Sequence, residues 1–175
     1  MLTKDNNYKV MKLFFDNPEN KFHIREIARQ TKLSAPGVLK ILKKLKDETL
    51  LVSERENVVE NVKASKTEKF FLLKKAYNTL SLFESGLINC LREEYEEPEA
   101  IVIFGSYSKG EDTSKSDIDI AVVTKKEATL DLKDFEKYLK RKISIFEIQI
   151  SDSSKEFLNN LANGIVVYGF LRLLQ

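Results

Sequence analysis

Two short apolar runs, Ile101–Phe104 and Ile118–Val123, joined by a turn rich in Gly and Ser, constrain this chain more than any other feature. Runs of that length and composition read as buried strands, which need sheet neighbours and covering helices. The segments that follow supply both. Leu130–Lys140 reads as a helix, Ile143–Ile150 as a strand, Ser153–Leu161 as a helix and Ile165–Tyr168 as a last strand. The alternation predicts a small mixed sheet covered by helices.

Ahead of the sheet the apolar period is helical. Tyr8–Phe15 carries a broad apolar face and stops at Asn17-Pro18. In His23–Gln30, Ile24, Ile27 and Ala28 share a face. Ser34 is placed to cap a third helix, with Pro36 in its first turn and Val38, Ile41, Leu42 and Leu45 as its buried stripe. The period then changes: Leu50–Ser53 and Asn57–Val62 read as two strands around the charged turn Glu54-Arg55-Glu56-Asn57. Three helices and a hairpin are the layout of a winged helix-turn-helix. Residues 67–95 read as one long helix in which Leu73, Leu80 and Leu87 recur, weakest at Ser85-Gly86. The predicted class is α+β (mixed α/β), with a winged unit over 1–66, a connecting helix over 67–97 and a sheet-bearing unit over 98–175.

Composition narrows the chemistry. The 175 residues include one Cys, Cys90, and one His, His23, which excludes an internal disulfide, a Cys-rich zinc module and a His-based metal cluster. Both residues read as structural. No apolar run approaches the roughly 18 residues of a membrane span, and the first residues show no apolar leader, so a reduced, cytoplasmic protein is expected. The net charge of +2 hides an asymmetry: residues 1–66 carry 14 Lys/Arg against 9 Asp/Glu, and residues 67–175 carry 15 against 18. A basic half ahead of an acidic half suggests two jobs, the first facing a polyanion.

The stretch that carries chemistry begins at Gly105-Ser106, where a buried strand meets a turn able to present backbone N–H groups and a hydroxyl to phosphate. Downstream, Asp117 and Asp119 stand two apart at the start of a strand, so their side chains project from one face. Two carboxylates so close repel each other unless a cation lies between them, and hard oxygen ligands at this spacing suit Mg²⁺ or Mn²⁺. Gly105-Ser106, ten intervening residues and Asp117-Ile118-Asp119 resemble the signature of the DNA polymerase beta nucleotidyltransferase superfamily, and most of all its minimal members. Gly110, Ser116 and the ending Asn163–Gly169 also match. With its winged unit the chain resembles an archaeal winged helix-turn-helix protein fused to a minimal nucleotidyltransferase. No Walker A loop is present, since Gly-Lys-Ser/Thr does not occur.

The resemblance implies transfer of a nucleoside monophosphate from a nucleoside triphosphate to a hydroxyl acceptor. Asp117 and Asp119 would be the catalytic metal ligands. Gly105, Ser106, Lys109, Gly110 and Ser116 would face the nucleotide. Active relatives carry a third carboxylate on a later strand, and the matching position here is Ser144. Glu147 is the other candidate third ligand, but strand alternation puts it on the opposite face from Ser144 unless a bulge intervenes. The winged unit resembles DNA-binding regulators, which makes Ser34, Ala35, Lys40, Lys43, Lys44 and Arg55 candidate DNA contacts, with Glu54 and Glu56 opposing them on the wing. Two rival readings follow from Ser144 and from the family's habits: a nucleotide-sensing transcriptional regulator, and an antitoxin-like protein that acts on a protein partner. A homodimer and a small helical partner both fit such a chain; a membrane does not.

Overall fold

The computed structural model describes residues 5–56 and 59–173. The chain divides into two units, 1–74 and 75–175. In the first, Asp5 caps helix α1 (Asn6–Asp16) by accepting from the Tyr8 N–H at 2.8 Å. A three-residue strand, β1 (Lys21–His23), leads straight into α2 (Ile24–Thr31), so the second helix starts one residue later than its apolar pattern suggests. Ser34 caps α3 (Ala35–Asp47), accepting from Gly37 N–H at 3.3 Å, with Pro36 in the first turn. Strands β2 (Leu51–Glu56) and β3 (Val59–Ala64) form the wing, and β1 pairs with β3 on its other side to give the order β1-β3-β2. Asn57, expected in the turn, lies outside the described residues, as does the Glu56 side chain. Phe14 and Phe22 meet edge to face at 5.2 Å in a core that includes Ile27, Val38, Leu42 and Leu51.

The single long helix expected over 67–95 is two helices, α4 (Glu68–Ser85) and α5 (Leu87–Glu94). They part at Gly86, whose φ of +81° is left-handed and ends the helical hydrogen-bond ladder. The heptad of leucines therefore does not mark one face: Leu73 is 39% exposed, whereas Leu87 is fully buried.

The second unit is built on a four-stranded sheet of order β6-β5-β4-β7, from β4 (Ala100–Phe104), β5 (Ile118–Val123), β6 (Ile143–Ile148) and β7 (Ile165–Gly169). β4 runs antiparallel to β5 and β7, and β5 runs parallel to β6, so the sheet is mixed as expected. Helices α6 (Gly105–Lys109), α7 (Lys133–Leu139) and α8 (Lys155–Ala162) complete it; α7 is shorter at its start than its sequence suggests. One face of the sheet carries Ile101, Ile103, Ile118, Ile120 and Val122 against Leu82, Leu87, Ile88 and Leu91. The other carries Ala100, Val102, Phe104, Ala121 and Val123, packed with Leu161, Phe157 and Leu158 of α8. Cover on both faces is the reason β4 is apolar and buried at every position. Among the described residues no helix is long and apolar enough to cross a membrane.

Candidate functional site

The site forms where the buried strand β4 gives way to α6. Phe104 pairs with Asp119 across the β4–β5 ladder, so the turn after Phe104 lands beside the Asp119 side chain. Gly105 takes φ +68°, and a Cβ built on it would sit 2.6 Å from Asp119 Oδ2. Any other residue would be strained by the backbone, and its Cβ would also push the Asp119 carboxylate aside. Backbone and carboxylate thus lie in contact, with the half-buried Ser106 next along the chain.

Asp117 is exposed at the mouth of β5, whereas Asp119 is partly buried two residues on. Burial raises the Asp119 pKa above the ordinary carboxylate value, and the neighbouring Asp117 charge raises it further. A site that penalises its own negative charge in this way gains from a bound cation. The donor set is two hard carboxylate groups beside a glycine that brings no side chain of its own, and this fits Mg²⁺. Among the described residues no third His, Cys, Asp or Glu joins the pair.

The strand register explains that shortfall. Asp119 is paired with Ser144 across the parallel β5–β6 ladder, which puts the serine on the same face and next to the aspartate. Glu147 is paired with Val122, on the opposite face. There its Oε1 accepts from the Tyr95 hydroxyl at 2.6 Å and from the Ala128 N–H at 2.9 Å. No bulge returns Glu147 to the aspartate pair, because β6 pairs with β5 in unbroken register from Ile143 to Ile148. As a candidate third ligand it is corrected to a residue that ties β6 to the segments at Tyr95 and Ala128.

The remaining expected nucleotide contacts divide. Lys109 is exposed at the end of α6. Gly110 is the left-handed C-cap of that helix, at φ +76°, which is a backbone role. The Ser116 hydroxyl accepts from the Thr113 N–H at 3.0 Å and so closes the turn that presents Asp117. Sequence reasoning missed the buried group under this turn. Asn78 Nδ2 donates to Asp112 Oδ1 at 2.7 Å and to the Tyr107 carbonyl at 2.9 Å. Arg141 Nη2 stands 3.6 Å from Asp112 Oδ2. Asp112 and Asn78 are almost wholly buried, and together they fix α6, the following turn and the end of α7. The turn Gly110–Ser116 holds Glu111 and Lys115 as well, so nothing in the sequence singles out Asp112.

In the winged unit Ala35, Lys40, Lys43 and Lys44 are exposed along α3 with Leu39 between them. Lys44 leans toward Glu48 at 3.9 Å, and the Ser34 hydroxyl is committed to its cap. On the wing, Arg55 is exposed. The Glu54 carboxylate is held by Lys21 at 2.7 Å and Lys63 at 3.1 Å, which lowers its pKa and neutralises much of its charge. The wing is therefore less acidic than its sequence suggests.

The family match falls in the second unit. Residues 87–169 match the family model "Polymerase beta, Nucleotidyltransferase". The matched region contains Gly105, Ser106, Asp117, Asp119 and Ser144 on the elements just described. No curated protein matches the chain. Among solved structures, a point mutant of Lactococcus lactis ZitR is 23% identical at a TM-score of 0.39, over 50% of this chain and 60% of that one. A cleft of about 830 Å³ in the second unit is lined by Val123 and Ile148 at the far ends of β5 and β6, among others, and does not include the aspartate pair.

Proposed function

We propose that the chain is a metal-dependent nucleotidyltransferase that binds DNA through its winged unit. The observation that carries this reading is the contact geometry at Gly105, where the Asp119 carboxylate lies against a residue with no side chain; a phosphate seated on the Gly105-Ser106 backbone would lie beside it. Asp117 and Asp119 would hold Mg²⁺ or Mn²⁺, and the nucleoside triphosphate would bring the remaining oxygen ligands. When bound, the metal neutralises charge on the transferred phosphoryl group and on the leaving pyrophosphate. Ser106 offers its hydroxyl and backbone N–H to the terminal phosphates, and Lys109 adds a mobile positive charge at the rim. The buried Asn78–Asp112–Arg141 group keeps the turn that carries Asp117 in place while the ligand comes and goes.

Ser144 limits the rate. An attacking hydroxyl must lose its proton, and a serine at neutral pH neither takes a proton nor balances metal charge. This is the observation that favours the second reading, a regulator whose transferase region senses a nucleotide. In the winged unit the exposed lysines of α3 would lie along phosphates and its N-terminal end would enter the major groove. A titration of nucleoside triphosphate with and without Mg²⁺, followed by a pyrophosphate-release assay, tests the reading. Metal-dependent binding with slow pyrophosphate release supports a transferase; binding with no release supports the sensor; no binding refutes both.

A further inference from the structure

The leading turns of α3 carry no hydrogen-bonding side chain beyond the cap. Ser34 is followed by Ala35, Pro36, Gly37, Val38 and Leu39. The backbone there is engaged as well: the Ser34 hydroxyl accepts from the Gly37 N–H, the Ser34 carbonyl accepts from the Val38 N–H at 2.9 Å, and Pro36 has no N–H. Val38 is buried in the core of the winged unit, whereas Ala35 and Pro36 are exposed and Leu39 is 51% exposed. Leu39 stands four residues after Ala35 and three after Pro36, so the exposed three lie side by side at the front of the helix. A single exposed leucine needs no explanation. This apolar tip does, because the same ridge turns cationic one turn further on, at Lys43, with Lys40 to its side. Lys44 leans toward Glu48, and Lys46 is held by Ser53 and Glu60. Among the described residues neither Lys40 nor Lys43 has an ion-pair partner, and both are exposed.

We propose that Leu39, with Ala35 and Pro36 beside it, reads the C5 methyl groups of pyrimidines in the major groove, those of thymine above all, while Lys40 and Lys43 hold phosphates; this rests on the DNA-binding half of the function proposed above. Reading the edge of a purine takes hydrogen-bonding side chains, such as Arg or Lys to guanine and Asn or Gln to adenine. The leading end of α3 offers none. The one group in the major groove that an apolar side chain recognises is the thymine methyl. Seating it against Leu39 takes apolar surface of both out of water, whereas a polar base edge in the same place is desolvated with nothing in return. The flanking charge selects the occupant. An apolar protein surface gains nothing from two unpaired lysines, while a duplex meets the apolar tip with the floor of its groove and the lysines with its backbone. The outcome is a preference for A·T over G·C pairs that uses no bidentate base contact.

The test measures anisotropy of labelled duplexes of equal length, across salt and in EDTA, with the full chain. The duplexes are a mixed-sequence A·T duplex, the same duplex with deoxyuridine for every thymidine, a non-alternating G·C duplex, and that duplex with 5-methylcytosine. Deoxyuridine removes only the methyl group, and 5-methylcytosine supplies it at the same ring carbon. The expected result is an affinity lower by about fourfold for each methyl lost from the interface, and a gain of similar size when cytosine is methylated. In Leu39→Ala both differences should fall below about twofold with the salt slope unchanged, whereas Lys43→Ala should lower the slope by about 0.9 and leave both differences in place. Circular dichroism checks the fold of each variant, and the comparison on the wild type needs no variant. Equal affinity for the thymidine and deoxyuridine duplexes overturns the proposal and leaves DNA binding standing. So does a difference that survives Leu39→Ala. Absence of any complex at low salt refutes the DNA-binding reading and the proposal with it, and gives the apolar tip to a protein partner.

Discussion

Replacing Asp119 by Asn should stabilise the metal-free protein at neutral pH. Asp119 is partly buried, faces the Asp117 carboxylate, and has its pKa raised by burial first and by that neighbour second. In the window between the ordinary carboxylate pKa and the raised one, the folded state binds more protons than the unfolded state. Stability therefore grows as pH falls through the raised value, and the full penalty is present at pH 7. With Asp117 exposed and solvent screening the pair, the penalty stays within the range of screened surface charge pairs, about 1 kcal/mol or less. At about 2–4 °C per kcal/mol for a chain of this size, Asp119→Asn should raise Tm by up to roughly 4 °C at pH 7 and by nothing at a pH below both values. Saturating Mg²⁺ reverses the order. At a hundredfold excess over Kd it adds about 2.7 kcal/mol to the wild type alone. Differential scanning fluorimetry over a pH series, with EDTA and with Mg²⁺, reads all four conditions. A destabilised Asp119→Asn in EDTA, or equal Mg²⁺ stabilisation of both proteins, would refute the reasoning.

Three further outcomes follow from the same geometry. Ser144→Asp restores a carboxylate in register with Asp119 and should raise pyrophosphate release by about 10²–10⁴-fold, whereas Glu147→Gln should leave the rate nearly unchanged; loss of activity in Glu147→Gln would mean that β6 is shifted. Removing Lys40 or Lys43 should lower the salt slope of duplex DNA binding by about 0.9 each, and a gel shift with no complex at low salt would turn the winged unit into a protein-interaction module. Asp112→Ala leaves Arg141 buried without its carboxylate and should cost about 3–5 kcal/mol by urea denaturation; a loss under about 1 kcal/mol would mean that the turn is held by its backbone alone.

Much of the fold could be read from local pattern because its main signals are local. The apolar run at Ile101–Phe104 requires cover on two faces, and the Ser34 cap with Pro36 starts a helix wherever it occurs. The two-residue period of β6 separates Ser144 from Glu147 by counting alone. The misses are non-local. Lys21–His23 is too short to show a strand period and exists because β3 offers an open edge. The leucine heptad runs through Gly86 as though the helix continued, and only a left-handed glycine in three dimensions shows that it does not. Asn78, Asp112 and Arg141 come together from three distant segments, so no spacing announces them.

The central claim is that Asp117 and Asp119 hold a divalent metal against a nucleotide seated at Gly105-Ser106, and calorimetric titration of nucleoside triphosphate tests it most directly. The wild type should bind in Mg²⁺ and lose at least about tenfold in affinity, or 1.4 kcal/mol, in EDTA, with Asp119→Asn weak in both conditions. Binding that is equally tight in EDTA, or that survives Asp119→Asn with its Mg²⁺ dependence intact, would contradict the account.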